Sequence, residues 1–355
     1  MAYTTIDDPS AFFQTALYTG NSGTLAVTND GNSDLQPDLV WTKKRSDTSH
    51  NTLVDSSRGA TKQIYSNLTA AEETVSGVTA FNTDGFTLGS NGTANLNGAT
   101  FVGWQWKANG GTTSSNTDGD INSTVQVNSD AGFSIVTYTG NFTATQTVGH
   151  GLGVRPNLVI IKNRDTAVDW VVWTSELTSG NFLKLNSDAA QSSSSRIYQN
   201  GYTTSTFGIG ANNTVNKSGD DLVAYCFAEK QGYSKFGSYI GNGSGTSDGT
   251  FNGPFVYLGF KPAWVLIKRS SYSAGDGWTL FDNKRGPINY NQNKLNPAST
   301  AAESGAVYDA VDFLSNGFKI RTGRAGANAS GSTYIYMAFA ENPFVTSTGV
   351  PATAY

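Results

Sequence analysis

Hydrophobic positions in this chain gather into short runs instead of helical stripes. Three runs follow a proline: Leu39-Val40-Trp41-Thr42-Lys43 after Pro37, Leu158-Val159-Ile160-Ile161-Lys162 after Pro156, and Trp264-Val265-Leu266-Ile267-Lys268 after Pro262. Three more end near an alanine: Thr100-Phe101-Val102-Gly103-Trp104-Gln105-Trp106 before Ala108, Leu222-Val223-Ala224-Tyr225-Cys226-Phe227 before Ala228, and Tyr334-Ile335-Tyr336-Met337-Ala338-Phe339 before Ala340. Aromatic and β-branched residues dominate them. They are too short for buried helices and are bounded by turn formers, so they predict strands. Neither kind of run alternates cleanly, which predicts cover on both faces, as inside a sandwich. Proline is tolerated at the first residue of a strand, which need not donate to the ladder. Asp84-Gly85-Phe86 and Asn316-Gly317-Phe318 predict hairpins in which glycine supplies a positive φ.

The runs recur in a fixed order, each set opening on an aromatic-glycine turn: Tyr18-Thr19-Gly20-Asn21, Tyr138-Thr139-Gly140-Asn141 and Tyr239-Ile240-Gly241-Asn242. Three ordered landmarks at similar spacing are an internal repeat. The predicted fold is all-β, with three tandem β-sandwich, jelly-roll-like modules at 12–108, 130–229 and 236–341. The polar stretch 109–129 predicts a flexible or surface-hugging linker. The short connection 230–235 implies that the second and third modules pack as neighbours. Residues 1–11 and 342–355 fall outside the repeat and are expected to be terminal arms that dock on a partner chain.

Composition supports strands over helices. The chain has 40 glycines and only 14% charged residues, with Ser, Thr and Asn filling much of the rest. Such residues hydrogen-bond to nearby backbone or lose much entropy on helix formation. Aromatic residues make up 12%, enough to fill several cores. A net charge of −4 argues against binding a nucleic-acid backbone, which needs a basic surface. No stretch approaches the roughly 20 apolar residues of a membrane span. The opening residues lack a signal peptide's basic start and apolar stretch, so synthesis in the cytoplasm is expected. With Cys226 the only cysteine, no internal disulfide forms.

Candidate chemistry is sparse. His50 and His150 occupy different places in the repeat and read as loop histidines, and Cys226 reads as a small buried hydrophobe. No metal or cofactor is expected. Glycan-cleaving enzymes need two acids about 5–9 Å apart. The adjacent pairs Glu72-Glu73 and Asp220-Asp221 would point to opposite faces of a strand. Asp118-Gly119-Asp120-Ile121-Asn122 alternates side-chain oxygens as calcium loops do, without the glycine and terminal glutamate of the full pattern. Asp55 with Arg58, and Asp282 with Arg285, are spaced to staple a turn by a charge-assisted hydrogen bond. Trp170, Trp173, Tyr198, Tyr202 and Trp278 are the candidate aromatic platforms for a sugar ring.

Several phrases resemble a group of proteins of marine tailed phages, including phages of cyanobacteria. They are Thr5-Ile6-Asp7-Asp8-Pro9-Ser10, Thr28-Asn29-Asp30-Gly31-Asn32-Ser33-Asp34-Leu35-Gln36-Pro37-Asp38, Phe81-Asn82-Thr83-Asp84-Gly85-Phe86, Gly232-Tyr233-Ser234-Lys235-Phe236-Gly237 and Tyr334-Ile335-Tyr336-Met337-Ala338-Phe339-Ala340-Glu341. The resemblance implies a virion structural or fibre-associated protein, assembled in the host cytoplasm, with other virion proteins as partners. Three functions stand open: a tail-fibre or host-adhesion component binding cell-surface polysaccharide, a capsid decoration or head-fibre protein docked through its arms, and a glycan depolymerase. The first is favoured, the third least, and homo-oligomerisation is open.

Overall fold

In a computed structural model that describes residues 3–245, 251–272, 277–305 and 310–352, the short apolar runs are antiparallel strands. The chain is all-β, 41% strand and 5% helix, in several separate sheets of which none closes. The first nine strands are β1 (Phe13–Thr19), β2 (Leu25–Val27), β3 (Leu39–Lys44), β4 (Asn51–Asp55), β5 (Lys62–Tyr65), β6 (Glu73–Thr74), β7 (Val78–Phe81), β8 (Phe86–Leu88) and β9 (Thr100–Trp106). They form a long sheet, β1-β9-β3-β4-β5-β6, and a small one, β2-β8-β7. Val40, Val54, Phe86 and Leu88 share a core between the two.

Next come β10 (Ser114–Asn116), β11 (Ser123–Asn128), β12 (Phe133–Thr139), β13 (Gln146–Gly149), β14 (Leu158–Asn163), β15 (Val171–Thr174), β16 (Asn181–Phe182), β17 (Ser192–Ser193), β18 (Thr206–Ile209) and β19 (Asp221–Phe227). Their long sheet runs β10-β11-β12-β19-β14-β15, beside the pairs β13-β18 and β16-β17. The stretch 109–129 is therefore not a flexible linker. It supplies β10 and β11, which extend the second long sheet beyond β12. Ser and Asn hid these strands, but Val125 and Gln126 are buried and make them a structural edge.

The last strands are β20 (Ser234–Ile240), β21 (Phe255–Tyr257), β22 (Phe260–Arg269), β23 (Thr279–Asp282), β24 (Val311–Leu314), β25 (Gly317–Ile320) and β26 (Thr333–Pro343). They form β20-β26-β22-β23 and β21-β25-β24. All residues of β3 and β14, and all but the first of β9 and β19, are buried, so both faces are covered. The prolines differ from expectation. Pro37 and Pro156 precede their strands, whereas Pro262 is the third residue of β22 and sits at a register shift, where no ladder bond is lost. Gly85 has the positive φ (92°) expected of its hairpin. Gly317 is needed instead for close approach, since a Cβ there would lie 2.1 Å from the Val256 carbonyl oxygen.

The aromatic-glycine turns have a single physical explanation. Each docks on a one-turn helix just before β9, β19 or β26: α1 (Gly92–Asn95), α2 (Asn213–Asn216) and α3 (Ala325–Asn328). The tyrosine hydroxyls of Tyr18, Tyr138 and Tyr239 donate to carbonyls of Ala94, Val215 and Ala327 at 2.9, 2.7 and 2.7 Å. The helix-ending asparagines Asn95, Asn216 and Asn328 accept from the backbone N–H of Asn21, Asn141 and Asn242, each at 2.8 Å. A Cβ on Gly20, Gly140 or Gly241 would lie 2.2–2.3 Å from the carbonyl oxygen of the residue just after the helix, Leu96, Lys217 or Ala329, so only glycine fits.

All three long sheets turn their other face to one shared core. At its middle Trp106, Phe227 and Phe339 meet, one from each sheet, with ring centroids 6.5, 5.6 and 5.9 Å apart. Phe13 and Trp264 pack around them. The ends fold onto this body instead of reaching away as arms. Ile6 enters the shared core, the Tyr3 hydroxyl donates to the Gly259 carbonyl at 2.7 Å, and Asp7 accepts from the Ser347 backbone at 2.6 Å. Of the expected arms, residues 1–2 and 353–355 lie outside the described residues.

Candidate functional site

Polar side chains cross the seams between the long sheets, and the buried lysine and tryptophan donors among them follow one cyclic order. From the first sheet to the third, Lys43 Nζ donates to the Thr300 carbonyl (2.9 Å), Asn51 Nδ2 to that of Ser299 (2.9 Å), and Trp104 Nε1 to Asp282 (2.9 Å). From the second to the first, Lys162 Nζ donates to the Thr69 carbonyl (3.0 Å), Trp170 Nε1 to that of Tyr65 (2.8 Å), and the Tyr225 hydroxyl to Asp55 (2.7 Å). From the third to the second, Lys268 Nζ donates to the Asp188 carbonyl (2.8 Å) and Trp278 Nε1 to that of Lys184 (3.0 Å). Burial pushes the ammonium groups of Lys43 and Lys162 down to about 8, so both remain charged donors at neutral pH.

The two Asp–Arg turns stand at the centre of their seams. Arg58 Nε lies 2.5 Å from Asp55 and Arg285 Nε 2.6 Å from Asp282, with all four side chains fully buried. Each arginine reaches a second acid, Glu72 or Glu303, that in turn pairs with the neighbouring sheet's Arg164 or Arg45. Burial works to raise the carboxyls of Glu72 and Glu303. The arginine pairs prevail and hold both below the ordinary range.

The aromatic residues expected to meet sugar are mostly buried. Trp170, Trp173 and Trp278 are at most 2% exposed and Tyr202 is 5% exposed. Trp173 stacks on Tyr202 and donates to Gln199, while Trp170 and Trp278 spend their indole N–H groups across seams. Tyr198 is half-buried. Trp170 and Trp278 could not be told from surface rings in the sequence, because their partners are about a hundred residues away. Among the described residues, exposed rings lie elsewhere, at Phe142, Phe255, Tyr257, Tyr272 and Tyr290.

The candidate acids have structural partners. Glu73 accepts from the Tyr65 hydroxyl, Asp220 from Asn163 and Thr166, and Asp221 from Thr139. In the calcium-like turn, Asp120 takes both the N–H and the hydroxyl of Thr147. Among the described residues no group of three His, Cys, Asp or Glu is placed to hold a metal, and no helix is long and apolar enough to cross a membrane. His50 Nδ1 meets the Asn67 amide at 2.9 Å. Cys226 is wholly buried, and burial pushes its thiol up.

His150 lies in the loop just after β13, as expected. It is fully buried, and its Nδ1 accepts the Leu152 N–H at 3.1 Å, so the neutral ring carries its proton on Nε2, facing the Thr203 carbonyl. Burial pushes the imidazole from 6.5 down to about 4, against the pull of that carbonyl and of Asp118. The unfolded chain therefore binds the extra proton first as pH falls. The stability this neutral ring secures is complete above pH 6.5 and declines toward pH 4, by about 3 kcal/mol for such a shift. His150→Asn, which keeps an acceptor for Leu152, is expected to flatten the pH dependence of urea midpoints in that window. An unchanged slope would contradict the assignment.

One seam also holds a cleft of about 400 Å³ between β1 and the third sheet. Phe13, Gln14 and Thr15 form one wall, Ala263, Asn283 and Lys284 the other, and Ala340, Glu341 and Asn342 the floor. Lys284 crosses its mouth to Asp30 at 2.8 Å. Thr15 Oγ1 is buried in the cleft wall without a hydrogen-bond partner.

Residues 8–343 match the family described as Domain of unknown function (DUF7483), and the chain belongs to that family. No curated protein and no solved structure matches the chain.

Proposed function

We propose that this member of the DUF7483 family is a non-enzymatic structural protein of a tailed-phage particle, built as a single-chain counterpart of a trimer. In this reading the three long sheets, each with its small facing strands, are copies of one β-sandwich module about a pseudo-threefold axis through Trp106, Phe227 and Phe339. The phage setting rests on the sequence phrases alone. The trimer-like body rests on the cyclic order of the seams, in which each sheet sends a buried lysine to a carbonyl of the next, from first to third, third to second and second to first. Head-to-tail contacts that close in this way are the mark of a ring.

Such a body suits decoration of a threefold or pseudo-threefold site on a capsid. Tyr3 is tied to the body and Asp7 to Ser347, so in this reading docking falls to the body's surface. The expected result is a monomer of 37.6 kDa by light scattering, with label from a specific gold-coupled antibody spread over particle heads. A stable homotrimer in solution would overturn the single-chain reading. The exposed rings at Phe142, Phe255, Tyr257, Tyr272 and Tyr290 favour a second reading, host adhesion through glycan stacking. Label confined to tail tips would decide for it.

A further inference from the structure

We propose that the cleft beside β1 is a vacant strand slot that accepts an extended polypeptide segment from a partner protein. The inference rests on the correspondence of seams proposed above.

The three long sheets differ at one edge. β12 is covered on its outer side by β11, paired from Ser123↔Tyr138 to Asn128↔Phe133. β1 occupies the same place relative to β9 that β12 occupies relative to β19: Phe13 lies opposite Trp106 as Phe133 lies opposite Phe227. Yet among the described residues no strand pairs with the outer side of β1. An uncovered edge presents backbone donors and acceptors to any chain that can lie beside it.

The occupied seam shows what the slot is built to hold. Gln126 of β11 stands opposite Ile135 and is fully buried against the first sheet's turn. Its Nε2 donates to Ser56 and Ser57 at 2.9 and 2.8 Å, and its Oε1 accepts from the backbone N–H of Asn109 and Gly111 at 3.1 and 3.0 Å. At the other seam the counterparts of Ser56 and Ser57 are Asn283 and Lys284, as the pairs Leu39↔Asp55 and Trp264↔Asp282 establish. The counterpart of Ile135 is Thr15. These residues line the cleft, and the space filled by Gln126 in one seam is the 400 Å³ space of the other. Thr15 Oγ1, buried and unpartnered, supplies the polar group that such an occupant would satisfy.

The occupant is accordingly a strand of β11-like chemistry, with β-branched and small polar residues flanking one long amide that enters the cleft. A body that decorates a particle would take it from a flexible segment of the surface it sits on.

The test uses the full chain and a synthetic peptide of residues 122–129, Asn-Ser-Thr-Val-Gln-Val-Asn-Ser. Calorimetric titration should give saturable one-to-one binding to the intact protein. Thr15→Phe, which fills the cleft, and Asn32→Trp, an exposed change at its mouth, should each weaken binding tenfold or more while circular dichroism stays native. Exchanging the peptide's glutamine for alanine should do the same. No binding at millimolar peptide, or equal binding to both variants, would overturn the proposal. So would a dimer of the chain, or a bound neutral oligosaccharide, that forms where the peptide does not. None of these outcomes bears on the ring itself, which solution mass tests separately.

Discussion

Trp106→Ala is expected to lower the stability of the entire chain by about 3–5 kcal/mol, as removal of a buried aromatic ring from a core does. Trp106 is 1% exposed and touches rings of all three long sheets: Phe13 of its own, Phe227 of the second, and Trp264 and Phe339 of the third. Alanine would leave a cavity that none of the three sheets can close without moving against the other two. Trp106→Phe is the informative control, because phenylalanine already stands at positions 227 and 339, which meet Trp106 in the middle of the core. The lost volume is partly offset, since the indole Nε1 is buried without a partner and its removal relieves roughly 1–3 kcal/mol of unmet desolvation. Urea midpoints of the three proteins give the comparison. Alanine and phenylalanine variants of equal stability would contradict the shared core.

Arg58→Ala is expected to cost a similar amount, about 3–5 kcal/mol, for a different reason. Its guanidinium bonds Asp55 at 2.5 Å, Glu72 at 2.7 Å and the Lys62 carbonyl at 3.0 Å, and lies 3.3 Å from the Tyr225 hydroxyl of the second sheet. Burial alone would lower its pKa, but Asp55, Tyr225 and Glu72 outweigh that and push it up, so the charge is permanent. Truncation strands Asp55 as a buried carboxylate, and breaking a buried pair from one side is the costly case. Arg164→Ala removes the other partner of Glu72 from a site where its side chain is 18% exposed, and should cost no more than about 1 kcal/mol. A double-mutant cycle of Arg58→Ala with Tyr225→Phe should show coupling of roughly 0.5–3 kcal/mol across the seam. Coupling near zero would mean that the two sheets meet there without exchanging energy.

The all-β class was legible because runs such as Leu158–Lys162 are too short and too β-branched for anything else. The turns Tyr-x-Gly-Asn were visible as a pattern, but their partners Asn95, Asn216 and Asn328 were not singled out. Each lies five residues before its closing strand, a spacing that offered the missing signal. The seams were illegible for a plainer reason. A lysine such as Lys43 reads as solvent-facing until the carbonyl that receives it is known, and Thr300 is 257 residues away. Partners 105 and 94 residues away likewise hid the burial of Trp170 and Trp278, which composition alone could only rank as candidates for either core or surface. Residues 109–129 misled in the opposite direction, because a strand that completes an edge needs few apolar side chains.

Scanning calorimetry of the full chain tests the central claim, that three sheets close into one body. The account predicts a single transition whose calorimetric and van't Hoff enthalpies agree within about ten per cent, as for one cooperative unit. Two or three resolved transitions, or a Trp106→Ala variant in which only one of them shifts, would contradict it and make the chain a string of independent modules.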